Sequence, residues 1–384
     1  MGTDAAPVRV CHVIHDLGPG GAEQVLVELA AVASSAGLAM SVLSLMPADS
    51  ERRTRELRRL GVPVRSLGLP GRWDPRALGG AVPVLRAARP DVVHTHLKHA
   101  DLVGGLAAAR LGVPQVSTLH LVEDAVRGVA SRKRWLAAIA RQRLAARTIA
   151  VSDAVRDWYV DDFGADPARV VTIRNGVVAP PMLSAARRAL LRSELGAAPT
   201  TVLAVMVGIM RPGKGHADLV AAAAMVPADL DLRVVLVGDG ELRGEVETLL
   251  TRTAAPAGRF HLAGFRDDVP AVVAAADLVV QPSRFDALPT ALISAAAAGR
   301  PVVATTAGGI PEIVSPATGL LVQPGDVHGL ASALTALAGD EHRRAEMGAA
   351  AKERFAAEFD ARRWAARLRA LYDEVLAERA QRCA

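Results

Sequence analysis

Residues 283–313 read SRFDALPTALISAAAAGRPVVATTAGGIPEI. Asp286 falls in a loop, Pro289 can open a helix because its fixed φ suits a first turn, and Gly299 can close it. The aliphatic run PVVATT then reads as a strand, and Gly308-Gly309 as a second glycine-rich turn. Loop, helix, strand and turn in this order form one repeat of a parallel sheet with crossover helices.

The same rhythm runs outward in both directions. Upstream lie TTVLAVMVG, a helix from about His216, LRVVLVG, a helix after Gly240, RFHLAG and DLVVQPS; downstream lie GLLVQP and three helical segments from Asp326 onward. A first series occupies Val8 to Val177: VRVCHVIH, a helix over about 21–35, LAMSVLSL, VVHTHL, PQVSTLH, RTIAVS and VVTIRNGV. It breaks at Ala179-Pro180-Pro181, which marks a linker. The fold expected is α/β, with two Rossmann-like parallel-sheet domains at 1–179 and 180–359. A last helix over 360–384, with Trp364, Leu368, Leu371 and Val375 at helical spacing, is expected to pack back on the first domain.

Composition agrees with this division. The chain has 384 residues, too many for one ordinary domain, and 51% of them are apolar with only 3% aromatic, so both cores must be aliphatic. Cys11 and Cys383 give no spacing for a metal site or a disulfide framework, and neither a signal peptide nor a spanning helix is expected. A cytoplasmic protein fits. Net charge +5 favours anionic partners, and no interleaving of aromatic and basic residues supports nucleic acid.

Ligands of such sheets bind at the carboxyl ends of the strands. Three loops there carry chemistry. LGPGGAE (17–23) opens a helix, and Gly18, Gly20 and Gly21 allow an anion to approach its free N–H groups. It is not the dinucleotide fingerprint, since Gln24 stands where a last glycine would, and no acid ends the second strand. GIMRPGKG (208–215) places Arg211 and Lys214 ahead of a helix, where two cations and a helix dipole suit a diphosphate. The third loop is the one around Asp286.

Taken with VGDGELR (237–243) and RNGV (174–177), these motifs resemble, in order and over nearly the whole chain, the family 4 retaining glycosyltransferases of the GT-B fold (glycosyltransferase group 1). The resemblance implies two domains facing across a cleft, a nucleotide sugar held mainly by the second and an acceptor by the first. It implies that Lys214 binds the diphosphate. The family's arginine position is Ile209 here, so Arg211 is its substitute. Asp286 matches the acid at the donor sugar, and Ser294 falls where the family has a second acid, on the ribose. His120 matches a histidine beside the donor sugar. Gly20, Gly21, Gly238, Gly240, Arg266, Leu288 and Gly309 complete the nucleotide-sugar contacts so implied, with a UDP-sugar favoured over a GDP-sugar, no cofactor and no metal.

His94, His96 and His99 have no cysteine or carboxylate at ligand spacing, so acceptor contact or plain structure is expected of them rather than a metal. Asp229-Leu-Asp231 spells a metal-binding triplet, but it lies away from the strand's carboxyl end and reads as a solvated loop. Residues 127–147 carry Arg127, Arg132, Lys133, Arg134, Arg141, Arg143 and Arg147 and no acid, with Trp135, Leu136, Ile139 and Leu144 between them. Two readings stand there: a helix lying on an anionic membrane at its inner face, or a stripe packed on the sheet with solvated cations.

The expected function is retaining transfer of a sugar from a nucleotide-diphosphate sugar to an unidentified acceptor, a lipid-linked glycan or a small metabolite. His120, Asp286, Lys214 and Arg211 are the expected catalytic residues. The alternatives are a glycosyltransferase-like binding subunit that has lost catalysis, which Ser294 favours, and a sugar-nucleotide epimerase.

Overall fold

The structure, a computed structural model, describes residues 6–383 except 19, 49–50, 72–73 and 121–137. The chain divides into two units. Unit 1 comprises Met1–Val178 and Ala361–Ala384, and unit 2 comprises Ala179–Asp360.

In unit 1, β1 (Val8–Ile14), α1 (Gly21–Ala30), β2 (Leu38–Ser44), α2 (Arg52–Arg59), β3 (Val64–Ser66), α3 (Ala77–Ala88), β4 (Val92–His96), α4 (Lys98–Leu111) and β5 (Gln115–Leu119) follow in turn. Helical residues 138–144 (α5) lead into β6 (Ala145–Ala150), α6 (Asp153–Phe163) and β7 (Val170–Thr172). The seven strands are parallel in the order β3-β2-β1-β4-β5-β6-β7. Strands buried on both faces favour aliphatic runs, which VRVCHVI largely supplies, whereas the equally buried QVSTL carries Gln115, Ser117 and Thr118, each hydrogen bonded to a neighbouring side chain.

Unit 2 repeats the scheme. It contains α7 (Ala185–Glu194), β8 (Val202–Val207), α8 (His216–Ala224), β9 (Leu232–Val237), α9 (Arg243–Arg252), β10 (Phe260–Gly264), α10 (Val269–Ala275), β11 (Leu278–Gln281), α11 (Thr290–Ala297), β12 (Val302–Thr305), α12 (Ile310–Ile313), β13 (Gly319–Val322), α13 (Val327–Gly339) and α14 (Glu341–Arg354). The sheet order is β10-β9-β8-β11-β12-β13, again parallel throughout. The architecture is therefore α/β with two Rossmann-like sheets. α15 (Ala361–Cys383) belongs to unit 1, where Trp364, Leu368, Leu371 and Val375 share one buried cluster with Val10, Val25, Leu26 and Leu29. Among the described residues, no helix is long and apolar enough to cross a membrane.

Each sheet has one switch point, where consecutive neighbours are not consecutive in sequence: β1 beside β4 in unit 1 and β8 beside β11 in unit 2. The chain leaves the two strands in opposite directions there, so the loops at their carboxyl ends part and leave a crevice.

Two expectations change. The first helix stops at Ala30 and a short 3₁₀ turn covers Ala33–Ala36, because Gly37 at φ +67 turns the chain into β2. The basic segment is not one helix over 127–147: residues 145–150 are strand β6, and residues 121–137 lie outside the described part. Arg141 is not a solvated cation. It is 5% exposed, and its Nη2 lies 2.5 Å from Asp101 Oδ2, with Ser117 and Thr95 completing the carboxylate's hydrogen bonds. Arg147 on β6 pairs with Glu374 and Glu378 of α15. A buried guanidinium needs such partners, so both arginines are committed within unit 1.

Candidate functional site

In unit 2 the loops after β8 and β11 meet at the switch point. Lys214 Nζ lies 2.6 Å from Asp286 Oδ2, and both side chains are about one-eighth exposed, at 13% each. Asp286 Oδ2 also accepts from Ser283 Oγ at 3.1 Å, and Gln281 Nε2 donates to that same Oγ at 2.7 Å. Thr305 of β12 donates its hydroxyl to the Ser283 carbonyl. The carboxylate is thus aimed by β11 and β12 and neutralised by the loop after β8. An ammonium and a carboxylate at a strand-end crevice can bind an anion and sugar hydroxyls respectively.

The glycines here serve close approach. Gly308 has φ +52, and a Cβ on it would stand 1.9 Å from the Asp286 carbonyl; the N–H of Gly309 donates to that carbonyl at 3.1 Å. Gly238 has φ +141, and a Cβ on it would stand 1.9 Å from the Gly208 carbonyl, so the loops after β8 and β9 touch only because no side chain separates them. A Cβ on Gly240 would likewise stand 2.4 Å from the Met210 carbonyl.

The other expected residues differ in exposure and partners. Arg211 is exposed and its guanidinium makes no ion pair among the described residues, so Lys214 alone of the two cations is held against Asp286. Arg266 is tied to Asp268 at 2.7 and 2.8 Å and to Glu194 at 3.3 Å, because those carboxylates flank the turn after β10. Leu288 is buried at 5%, and Ser294 is half-buried on α11. Asp231 accepts from Thr201 Oγ1 at 2.7 Å, a brace between the starts of β8 and β9.

His216 opens α8 directly behind the Lys214 loop. Burial, assisted by the Lys214 charge, lowers its pKa to about 4. The imidazole is therefore neutral and adds no charge to the crevice.

In unit 1 the glycine loop 17–23 leads into α1. Gly20 is its N-cap, and a Cβ there would stand 1.9 Å from Glu23 Oε2, so the glycine makes room for an acid folded back on the turn. Nothing lies within 4 Å of a Cβ on Gly21. Glu23 is 6% exposed, and burial raises its pKa. Arg53 donates to the Gly18 carbonyl at 2.6 Å, so the loop is fixed by a side chain from α2.

His120 follows β5 directly and is half-buried. Its Nε2 lies 2.9 Å from His96 Nδ1, and His96 Nε2 lies 2.9 Å from His12 Nδ1. His94 stacks on His96 with ring centroids 4.4 Å apart and is hydrogen bonded to Tyr372 Oη and Thr118 Oγ1, both at 2.6 Å. Burial keeps all four imidazoles neutral: the pKa of His12 is lowered to about 3, that of His120 to about 4, and those of His94 and His96 well below the ordinary value. A cavity of about 10 Å³, room for one water, is lined by His94, His96, Thr118, His120, Asn175 and Trp364 among others.

His12 and Tyr372 were not anticipated as parts of this group. The strand alternation of His94 and His96 was readable, but His12 joins them only because β1 pairs with β4, His12 standing opposite His94. Tyr372 arrives from 278 residues away. Contrary to the expectation of no metal-ligand cluster, His12, His94 and His96 have ligand atoms within 4.8 Å of one another, as do His15, Asp16 and Glu23. In the first group both nitrogens of His94 and of His96 are already hydrogen bonded.

The chain matches two family models, one described as Glycosyltransferase Family 4 over residues 19–179 and one as Glycosyl transferases group 1 over residues 201–340. Among curated proteins it is 33% identical over 303 residues to the alpha-maltose-1-phosphate synthase of Mycolicibacterium smegmatis, covering 72% of this chain and 77% of that one. It is 26% identical over 279 residues to the UDP-Gal:alpha-D-GlcNAc-diphosphoundecaprenol alpha-1,3-galactosyltransferase of Escherichia coli, covering 70% and 71%. Among solved structures, Anabaena HepE in complex with UDP and glucose superposes with a TM-score of 0.84 at 23% identity, covering 96% of this chain and 100% of that one.

Proposed function

This chain belongs to the group 1, family 4 glycosyltransferases and draws on a nucleotide sugar, and from that premise we propose that it is a retaining, metal-independent hexosyltransferase whose donor is a UDP-sugar. The ion pair between Lys214 and Asp286 at the β8/β11 switch point carries the reading. Lys214 stabilises the departing nucleoside diphosphate as the glycosidic bond stretches, and Asp286 accepts hydrogen bonds from the donor sugar's hydroxyls. The leaving phosphate takes the acceptor's proton, so no side chain acts as base. His120 contacts the donor sugar. The acceptor, on unit 1, is a lipid-linked glycan or a small metabolite, the two kinds of molecule that appear in the names of the relatives.

A screen of UDP- and GDP-sugars for nucleoside diphosphate release, with the anomeric configuration of the product read by NMR, tests this. Release from a UDP-sugar, retention of configuration and undiminished turnover in excess EDTA are expected. Inversion would overturn the mechanism, and turnover that requires added Mn²⁺ or Mg²⁺ would overturn the role given to Lys214. A binding subunit without catalysis is the second reading, favoured by Ser294 in place of an acid. Nucleotide binding without turnover on any donor would establish it.

A further inference from the structure

His120 ends a line of imidazoles, and the transfer reaction assigns no role to the two inner rings. It crosses three neighbouring strands: His12 on β1, His96 at the end of β4 and His120 just after β5. Both links are 2.9 Å, and the middle ring uses both of its nitrogens. His12 and His96 are 1% and 3% exposed. His94, stacked on His96, is locked between Tyr372 and Thr118, so it supports the middle ring without joining the line.

A neutral imidazole has one N–H and one lone pair. Three rings joined in this way have only two self-consistent settings. In one, His12 donates from Nδ1 to His96 Nε2, His96 donates from Nδ1 to His120 Nε2, and His120 keeps its proton on Nδ1. In the other every bond is reversed, and His120 Nδ1 carries only a lone pair. All three rings hold the same tautomer in either setting. Mixed settings leave two lone pairs or two protons facing each other in a site without bulk water, where an unmade bond costs about 1–3 kcal/mol.

We propose that His12 and His96 are positioning residues that fix, through this two-setting line, whether His120 Nδ1 donates to or accepts from a hydroxyl of the donor sugar. The proposal rests on the reading of His120 as a sugar contact. It extends that reading two rings into unit 1, to a residue that never meets the substrate.

Long-range ¹H–¹⁵N spectra of the full chain labelled on histidine are the test. His12, His96 and His120 are expected to show one and the same tautomer near neutral pH. In His96→Phe, and also in the remote His12→Phe, the His120 nitrogens are expected to move toward the averaged positions of a ring free to exchange tautomers. Donor kcat is expected to fall on the order of tenfold in His96→Phe with KM within about threefold, a loss of proton placement rather than of binding. Unlike tautomers in the wild-type protein, an unchanged His120 spectrum in both variants, or stoichiometric zinc on these rings would each overturn the proposal. His120→Ala separates the two readings: unchanged turnover there removes His120 from the reaction, while the spectra still decide whether the line exists.

Discussion

Lys214 and Asp286, 72 residues apart, hold each other at 2.6 Å with little exposure, so the strand-end crevice of unit 2 is electrostatically closed on itself. On the proposed reading, a diphosphate draws the ammonium partly away from its carboxylate. Lys214→Ala is expected to lower turnover by at least about tenfold, since a charge-assisted hydrogen bond is worth roughly 1.5–3 kcal/mol. Because the two groups share a contact, a double-mutant cycle with Asp286→Asn should show coupling of about 1 kcal/mol or more in kcat/KM. Strict additivity would mean that the pair does not act together.

Ser294 stands half-buried on α11, and the proposed reading matches it to the family's second acid. A carboxylate there can accept from both ribose hydroxyls, whereas a serine hydroxyl is shorter and neutral. Ser294→Glu should tighten nucleoside diphosphate binding on the order of tenfold, one net charge-assisted bond. Titration calorimetry on both proteins decides it, and weaker binding in the variant would remove residue 294 from the ribose.

Gly308→Ala should damage the proposed donor site from behind. The added Cβ would stand 1.9 Å from the Asp286 carbonyl, and the φ of +52 is itself unfavourable for alanine. A stability loss of about 1–3 kcal/mol in urea, with weakened nucleotide binding, is expected. Gly244→Ala, whose Cβ meets nothing within 4 Å, is the control and should be neutral or mildly stabilising.

Arg141→Met would leave Asp101, 1% exposed, without its cation. Removing one partner of a buried pair costs about 3–5 kcal/mol, so chemical denaturation should show a loss of that size in unit 1. A loss under about 1 kcal/mol would return Arg141 to the solvated stripe expected from sequence.

Acid should destabilise the protein through its histidines. His12 and His120 have folded pKa values of about 3 and about 4, below the ordinary 6.5, so the unfolded chain binds more protons throughout that interval. Stability is therefore fully present above pH ~6.5 and falls as pH drops toward the folded values, by up to about 1.4 kcal/mol per pH unit for each such ring. Urea midpoints between pH 7 and pH 4.5 should fall less steeply in His12→Leu than in the wild-type protein. Equal slopes would mean that His12 is protonated in the folded chain.

The βα rhythm, the break near Pro180 and the glycine turns were legible in sequence because each is a local consequence of side-chain period or backbone freedom. Lys214 and Asp286 were legible as members of strand-end loops for the same reason. The partners of Arg266 were not legible, because nothing local shows that Asp268 and Glu194 hold it. Arg141 was misread because a run of arginines looks alike whether it faces water or a buried carboxylate.

What the sequence alone determined is the kind of elements, their succession and which loops end strands, since periodicity and turn chemistry act over a few residues. Only the tertiary structure decided which strands became neighbours. The pairing of β1 with β4 and of β8 with β11 is a choice among distant segments, made by burial of both faces of each sheet. That choice set Lys214 against Asp286, lined His12 and His96 up behind His120, and brought Tyr372 to His94 across 278 residues.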